Sequence, residues 1–220
     1  MAADERQGLY AAEALGILTE AHAILGKDHF VYVSGDHGSG WIDKDAIYPH
    51  TERIEQLCRD MAHVVRGWNA EVVCGPATGG LIVAEWTAHE LGVLSVFAEH
   101  DPAPQDGALR GRFMLRRGYD RVVSGRRVLV VDDIVNTGLS LRQTAEAVRG
   151  AGGEVVGAAC LISRGNVDAE GLGVSRYLYL LEYQIPAWPA AACPLCQAGV
   201  PVNTRYAHGR EYLARQSEKR

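Results

Sequence analysis

Short apolar runs closed by turn residues alternate with amphipathic segments through the middle of this 220-residue chain, and that alternation restricts the fold more than any other feature. "HTERIEQLCRDMAHVVRGW" spaces Ile54, Leu57, Cys58, Met61, Val64 and Val65 at helical intervals, with charge on the opposite face. "AEVVCG" reads as a short buried strand, "PATGG" as its turn, "LIVAEWTAHEL" as a helix and "GVLSVFA" as another strand. The polar "EHDPAPQDGALRGR" suits a loop. "RRVLVVDD" is a strand, "SLRQTAEAVRGAGG" a helix with Leu141, Ala145 and Val148 on one face and a glycine stop, and "EVVGAACLIS" a further strand. The pattern predicts an α/β fold, a parallel sheet flanked by helices on both faces. Ahead of it, "AAEALGILTEAHAIL" reads as a single amphipathic helix with Leu15, Leu18 and Leu25 on one side.

Composition narrows the classes. A chain that is 47% hydrophobic and 22% charged can bury a full core, and its length suits one domain with an appendage. A net charge of -5 argues against a broad nucleic-acid surface, although Arg110, Arg112, Arg116 and Arg117 form a local basic patch. No stretch approaches a membrane span, and the N-terminus carries acid early without an apolar signal core, so a cytoplasmic protein is expected. Of the five cysteines, Cys58, Cys74 and Cys160 sit in apolar runs and read as small core residues. Cys193 and Cys196 in "CPLC" have the spacing of half a zinc site, but no second pair follows and His208 completes three ligands at most. The expected reading is a C-terminal turn with two reduced thiols, with an intermolecular zinc or a disulfide as alternatives.

In parallel sheets of this kind ligands rest beyond the carboxyl ends of the strands. Two polar turns are expected there, "GPATGG" and "DDIVNTGLS". In "VLVVDDIVNTGLSL" four aliphatic residues run into Asp132 and Asp133, placing two carboxylates at the rim of a site. The backbone amides of Asn136 to Ser140, opening onto a helix N-terminus, form a cup for an anion. A phosphate in the cup with hydroxyls against the carboxylates describes a sugar phosphate.

"VLVVDDIVNTGLS" resembles the signature of the type I phosphoribosyltransferases, and "SGDHGSGWIDKDAIYPHT", "GPATGGLIVAEW", "FMLRRGY" and "CPLCQAGVP" resemble segments of bacterial orotate phosphoribosyltransferases. The resemblance covers most of Ser34 to Pro201. It implies that fold, with residues 1–50 as an N-terminal helix and hood, 51–185 as the core and 186–220 as a C-terminal extension completing the hood and carrying the CPLC turn.

The implied reaction joins a nucleobase nitrogen to the anomeric carbon of phosphoribosyl pyrophosphate, with release of magnesium-bound pyrophosphate. By resemblance, Asp132 and Asp133 hold the ribose hydroxyls, directly or through magnesium, and stabilise the positive charge on the ribose ring at the transition state. Ile134, Val135, Asn136, Thr137, Gly138, Leu139 and Ser140 make the donor cup, and the amides of Ala77, Thr78 and Gly79 face the pyrophosphate. The loop from Glu99 to Arg112 closes over the site, and because this loop serves the partner subunit in the family, a homodimer is implied. Arg164 matches the arginine that pairs with the orotate carboxylate, and Trp41, Ile42 and Asn136 match positions that contact the base.

The chain departs from the family where basic residues are usual. Val33, Gly79, Glu99 and His100 occupy those positions, Asn136 stands for a threonine and Asp36 for an arginine. His100 is then the candidate for the loop's catalytic role, and Arg116 and Arg117, with Lys44, Arg110 and Arg112, are candidates to neutralise pyrophosphate, unless magnesium carries more of that charge. Two alternatives to an orotate enzyme stay open, a phosphoribosyltransferase for another base and a non-catalytic protein that senses the donor.

Overall fold

The computed structural model describes residues 3–101, 112–165 and 167–217. Its contacts divide the chain into two compact units, one of residues 1–15 with 50–183 and one of residues 16–49 with 184–220. Helix α1 (Ala3–Glu20) therefore begins in the larger unit and ends in the smaller. It stops short of the expected helical stripe: His22 takes a φ of 54° and Leu25 lies on a strand, paired with Trp41. A left-handed residue cannot continue a right-handed helix, which is why the apolar spacing misled beyond Glu20.

The larger unit is built on a six-stranded sheet. Its strands are β3 (Val72–Pro76), β4 (Leu94–His100), β5 (Phe113–Met114), β6 (Arg127–Val135), β7 (Glu154–Ser163) and β8 (Tyr177–Glu182), in the order β5-β4-β3-β6-β7-β8. All neighbours are parallel except β5, which closes one edge antiparallel to β4. Val72, Val73, Cys74, Val128, Leu129, Val130 and Val131 are all fully buried, as strands covered on both faces require. Val72, Cys74, Val128 and Val130 join Leu141, Ala145 and Val148 of α5 (Leu139–Gly150) in one core cluster. Helices α2 (Thr51–Val65) and α3 (Gly79–Leu91) pack on one another, with α3 against β3, β4 and β6 and α2 against β7 and β8. On α2, Ile54, Leu57, Cys58, Met61 and Val65 are buried as the spacing predicts, whereas Val64 is exposed. A short helix α4 (Tyr119–Val123) leads into β6.

The smaller unit carries a three-stranded antiparallel sheet, β1 (Ile24–Val31), β2 (His37–Ile42) and β9 (Ala187–Trp188), in the order β1-β2-β9. Segments from both chain ends thus make one unit, but residues 1–15, expected with the N-terminal stretch, belong to the larger unit instead. The C-terminal stretch continues through α6 (Pro194–Gln197) and α7 (Gly209–Ser217), with the Asn203 and His208 amides donating to the carbonyls of His29 and Val31 on β1. Among the described residues, no helix is long and apolar enough to cross a membrane.

Candidate active site at the carboxyl ends of β3 and β6

Strand order decides where the site lies. From β3 the chain crosses through α3 to β4 on one side, and the later strands are added on the other side from β6 onwards, so the connections diverge between β3 and β6. That divergence leaves a crevice beyond the carboxyl ends of these two strands. The two polar turns singled out in the sequence both fall there, one after Pro76 and one after Val135.

The acid pair sits deeper than the sequence suggests. Asp132 and Asp133 do not end the strand: β6 continues through Ile134 and Val135, which pair with Ile162 and Ser163 of β7. Two further aliphatic residues satisfy that ladder, so the carboxylates become part of the buried strand, with Asp132 7% and Asp133 6% exposed. Backbone amides hold them, since Asp133 N–H donates to Asp132 Oδ1 at 2.9 Å and Ile134 N–H to Asp133 Oδ1 at 2.6 Å. Gly80, at the start of α3, is pressed against Asp132. A Cβ there would lie 3.0 Å from Asp132 Oδ1 and 2.5 Å from the Pro76 ring, so only glycine lets the first turn of α3 approach the carboxylate.

Beyond the acids the chain folds into a concave cup of about 310 Å³, lined by Asp132 and residues 134–141. Gly138 turns the strand into the helix, with a φ of 73° at the residue preceding Leu139. That left-handed step suits glycine, and the leading amides of the twelve-residue α5 have no carbonyl one turn back to bond. Asn136, Thr137 and Leu139 are exposed at the mouth and Ser140 is half-buried. An anion of phosphate size placed here would meet the positive end of the α5 dipole.

The first turn needs a correction. Ala77 N–H donates to the Ala98 carbonyl at 2.8 Å, so it is engaged in the sheet and is not part of an anion-facing set. Thr78 and Gly79, which open α3 after a cis Ala77–Thr78 peptide, keep the position expected of them at the crevice. On the other flank, Arg164 directly follows β7, beside the end of β6, and its N–H donates to the Val135 carbonyl at 2.9 Å. Its guanidinium Nε is buried and has no hydrogen-bond partner among the described residues. A buried donor of this kind costs free energy until an acceptor arrives.

The basic candidates near the loop fare differently. Arg117 makes a two-pronged ion pair with Glu99, Nε and Nη2 each 2.9 Å from a carboxylate oxygen, and its guanidinium lies over the Phe97 ring. This hydrogen-bonded guanidinium holds the Glu99 carboxyl below its ordinary range. Two positions that looked independent in the sequence are therefore one unit, which no local pattern signals because they lie 18 residues apart on different strands and turns. His100 ends β4, pairs with Phe113, and stacks its ring on that phenyl at 3.9 Å between centroids. Arg112 and Arg116 are exposed. Most of the expected closing loop, residues 102–111 with Arg110, lies outside the described residues. Trp41 and Ile42 stand on β2 of the smaller unit, Trp41 half-buried and stacked on Tyr32, Ile42 buried.

A buried acid pair and a phosphate-sized cup at the switch point of a parallel sheet define an α/β protein that handles a phosphorylated sugar. The chain belongs to the phosphoribosyltransferase family, whose phosphoribosyl transferase domain matches residues 44–170. It is 38% identical over 192 residues to orotate phosphoribosyltransferase 2 of Mesorhizobium japonicum, covering 86% of this chain and 93% of the relative. The orotate phosphoribosyltransferase of Brucella ovis matches with the same identity and coverage. Among solved structures, the orotate phosphoribosyltransferase of Aeropyrum pernix superposes with a TM-score of 0.61 at 27% identity, covering 76% of this chain and 92% of that one. The Mycobacterium tuberculosis enzyme in complex with 5-phospho-alpha-D-ribosyl 1-diphosphate gives 0.56 at 26% identity, covering 79% and 95%.

Proposed function

We propose that this protein is an orotate phosphoribosyltransferase, transferring the phosphoribosyl group of phosphoribosyl pyrophosphate to orotate to yield orotidine monophosphate and pyrophosphate in pyrimidine nucleotide synthesis. The observation that carries the choice of base is the buried Nε of Arg164, without a hydrogen-bond partner among the described residues, on a residue whose own N–H bonds the end of β6. A planar guanidinium short of an acceptor suits a planar carboxylate, which orotate has and uracil and the purines lack. The curated relatives, matched over most of their length, support the same reading.

In this proposal the amides of residues 136–140 and the Thr137 and Ser140 hydroxyls hold the ribose phosphate, and Thr78 and Gly79 face the pyrophosphate. Asp132 and Asp133 accept from the ribose hydroxyls. As the bond to pyrophosphate breaks ahead of attack by the base nitrogen, positive charge spreads over the ribose ring, and carboxylates already fixed by backbone amides stabilise it without reorganising. Arg164 anchors the base so that the attacking nitrogen stays in line. His100 and Arg116 border the loop that closes over the site, and Arg117 reaches the donor only by leaving Glu99. A homodimer and a cytoplasmic location complete the proposal, by resemblance to the family.

Magnesium fits the donor set by its chemistry, because Asp132 offers a hard carboxylate to the anion cup and Asp133 a second one next to it on β6. When bound, it would neutralise pyrophosphate as a leaving group, and Asp132 and Asp133 would hold it indirectly. Donor affinity measured by calorimetry should fall severalfold or more when a chelator removes the metal. Equal affinities would show that side chains alone carry the charge.

A turnover assay with a panel of bases at fixed donor and magnesium tests the whole reading. Orotate should be used and uracil, adenine, guanine and hypoxanthine should not. A preference for another base would keep the family and overturn the substrate, and tight donor binding with no turnover on any base would point to a sensor.

A further inference from the structure

The two cysteines of the CPLC turn are not alone. His29 of β1 and His37 of β2 meet them inside the smaller unit, and the ligand atoms of all four residues lie within 4.8 Å of one another. Individual separations are 2.8 Å from His29 Nε2 to His37 Nδ1, 3.6 Å and 3.7 Å from that Nε2 to the Cys193 and Cys196 sulfurs, and 3.3 Å from Cys196 Sγ to His37 Nδ1. From the structure we infer that His29, His37, Cys193 and Cys196 form a structural zinc site.

Four observations lead there. The spacing matches the ion: with Zn–N near 2.0 Å and Zn–S near 2.3 Å, a tetrahedral centre separates nitrogen from sulfur by about 3.5 Å. A histidine–histidine hydrogen bond accounts for one of these contacts but not for both sulfurs converging on His29 Nε2, with the Cys196 sulfur also on His37 Nδ1. The second partner of a ligand histidine is also present, since His29 Nδ1 lies 2.8 Å from the Val200 carbonyl. That carbonyl requires an N–H on Nδ1 and leaves the Nε2 lone pair facing the cluster. Finally, His29, His37 and Cys193 are fully buried while Cys196 is exposed, and His37 turns Nδ1 to the cluster, its Nε2 having no hydrogen-bond partner among the described residues. The Tyr212 ring meets His37 edge-on at 4.8 Å, walling the site.

Two thiolates and two imidazoles select zinc over magnesium or calcium, which prefer oxygen. With all four positions filled by protein, no place remains for water or substrate, so the site is structural. It ties the turn at 193–196 to the β1–β2 hairpin, joining segments 164 residues apart in sequence. A unit made of two short chain segments has little core of its own, and such units commonly depend on a staple. The expected reading is a turn with two reduced thiols, His208 adding a third ligand at most; His208 is outside this cluster, and its amide serves β1.

The test is metal analysis of the full-length protein expressed with adequate zinc and kept reduced. About one zinc per chain is expected, and Cys196→Ser or His37→Ala should lower it to roughly a tenth or less. X-ray absorption at the zinc edge of the unmodified protein should report two sulfur and two nitrogen neighbours, a readout that survives if a variant fails to fold. Chelation should lower the melting temperature, and zinc but not magnesium should restore it. Metal-free reduced protein that takes up no added zinc, a Cys193–Cys196 disulfide under these conditions, iron in place of zinc, or full zinc content in both variants would each overturn the inference. None of these readouts depends on the base or on turnover, so the site and the proposed reaction stand or fall separately.

Discussion

Replacing Asp133 by Asn should lower turnover by about a hundredfold or more, with the fold intact. The substitution keeps shape and removes charge. Asp133 is buried on β6, and its Oδ1 accepts the Ile134 N–H at 2.6 Å. An asparagine oxygen can accept the same amide, so secondary structure has little reason to change. In the proposed reaction, what is lost is a fixed negative charge beside the ribose at the moment it becomes cationic. A hundredfold loss corresponds to about 2.7 kcal/mol of transition-state stabilisation, the range measured when one preorganised electrostatic partner is removed. The loss should appear in kcat more than in donor affinity, because the ribose ring carries no positive charge in the ground state. An unchanged rate in a protein with an unaltered circular-dichroism spectrum would assign the acid pair to structure alone.

Replacing Arg164 by Ala should raise the apparent constant for orotate by roughly tenfold or more and leave any weak use of uracil unaffected. Uracil lacks the carboxylate and so has nothing to lose. Donor affinity should hardly move, because Arg164 follows β7 whereas the cup is built from the end of β6 and the start of α5. Arg164→Lys keeps the charge and discards the planar fork, so partial recovery would assign the contact to charge and no recovery to geometry. If both variants use orotate as well as the parent, the buried Nε has another purpose and the base must be reread.

Much of the larger unit could be read from the chain. Fully apolar runs such as Val128 to Val131 can only be strands covered on both faces, and their alternation with amphipathic segments leaves few topologies besides a doubly wound parallel sheet. Edges and ends were harder. The two-residue strand β5 is too short to have a period. The continuation of β6 past the acids depends on a neighbouring strand that supplies the ladder, which no local pattern reports. At the N-terminus, apolar spacing extended the helix to Leu25, where a left-handed His22 turns the chain into β1 instead.

By itself, then, the sequence determined the fold class, the two turns that meet at the crevice, and the residues that line the cup, because these follow from residue types at short fixed spacing and from backbone geometry that such spacing implies. The tertiary structure alone decided which side chains are partners. It engaged the Ala77 amide with Ala98 and withdrew it from the pyrophosphate turn, joined Arg117 to Glu99, pressed Gly80 against Asp132, and completed half a metal motif with two histidines from the other end of the chain. Those contacts bring together residues from separate elements, and spacing along a chain carries no information about the directions in which distant side chains point once the strands have paired.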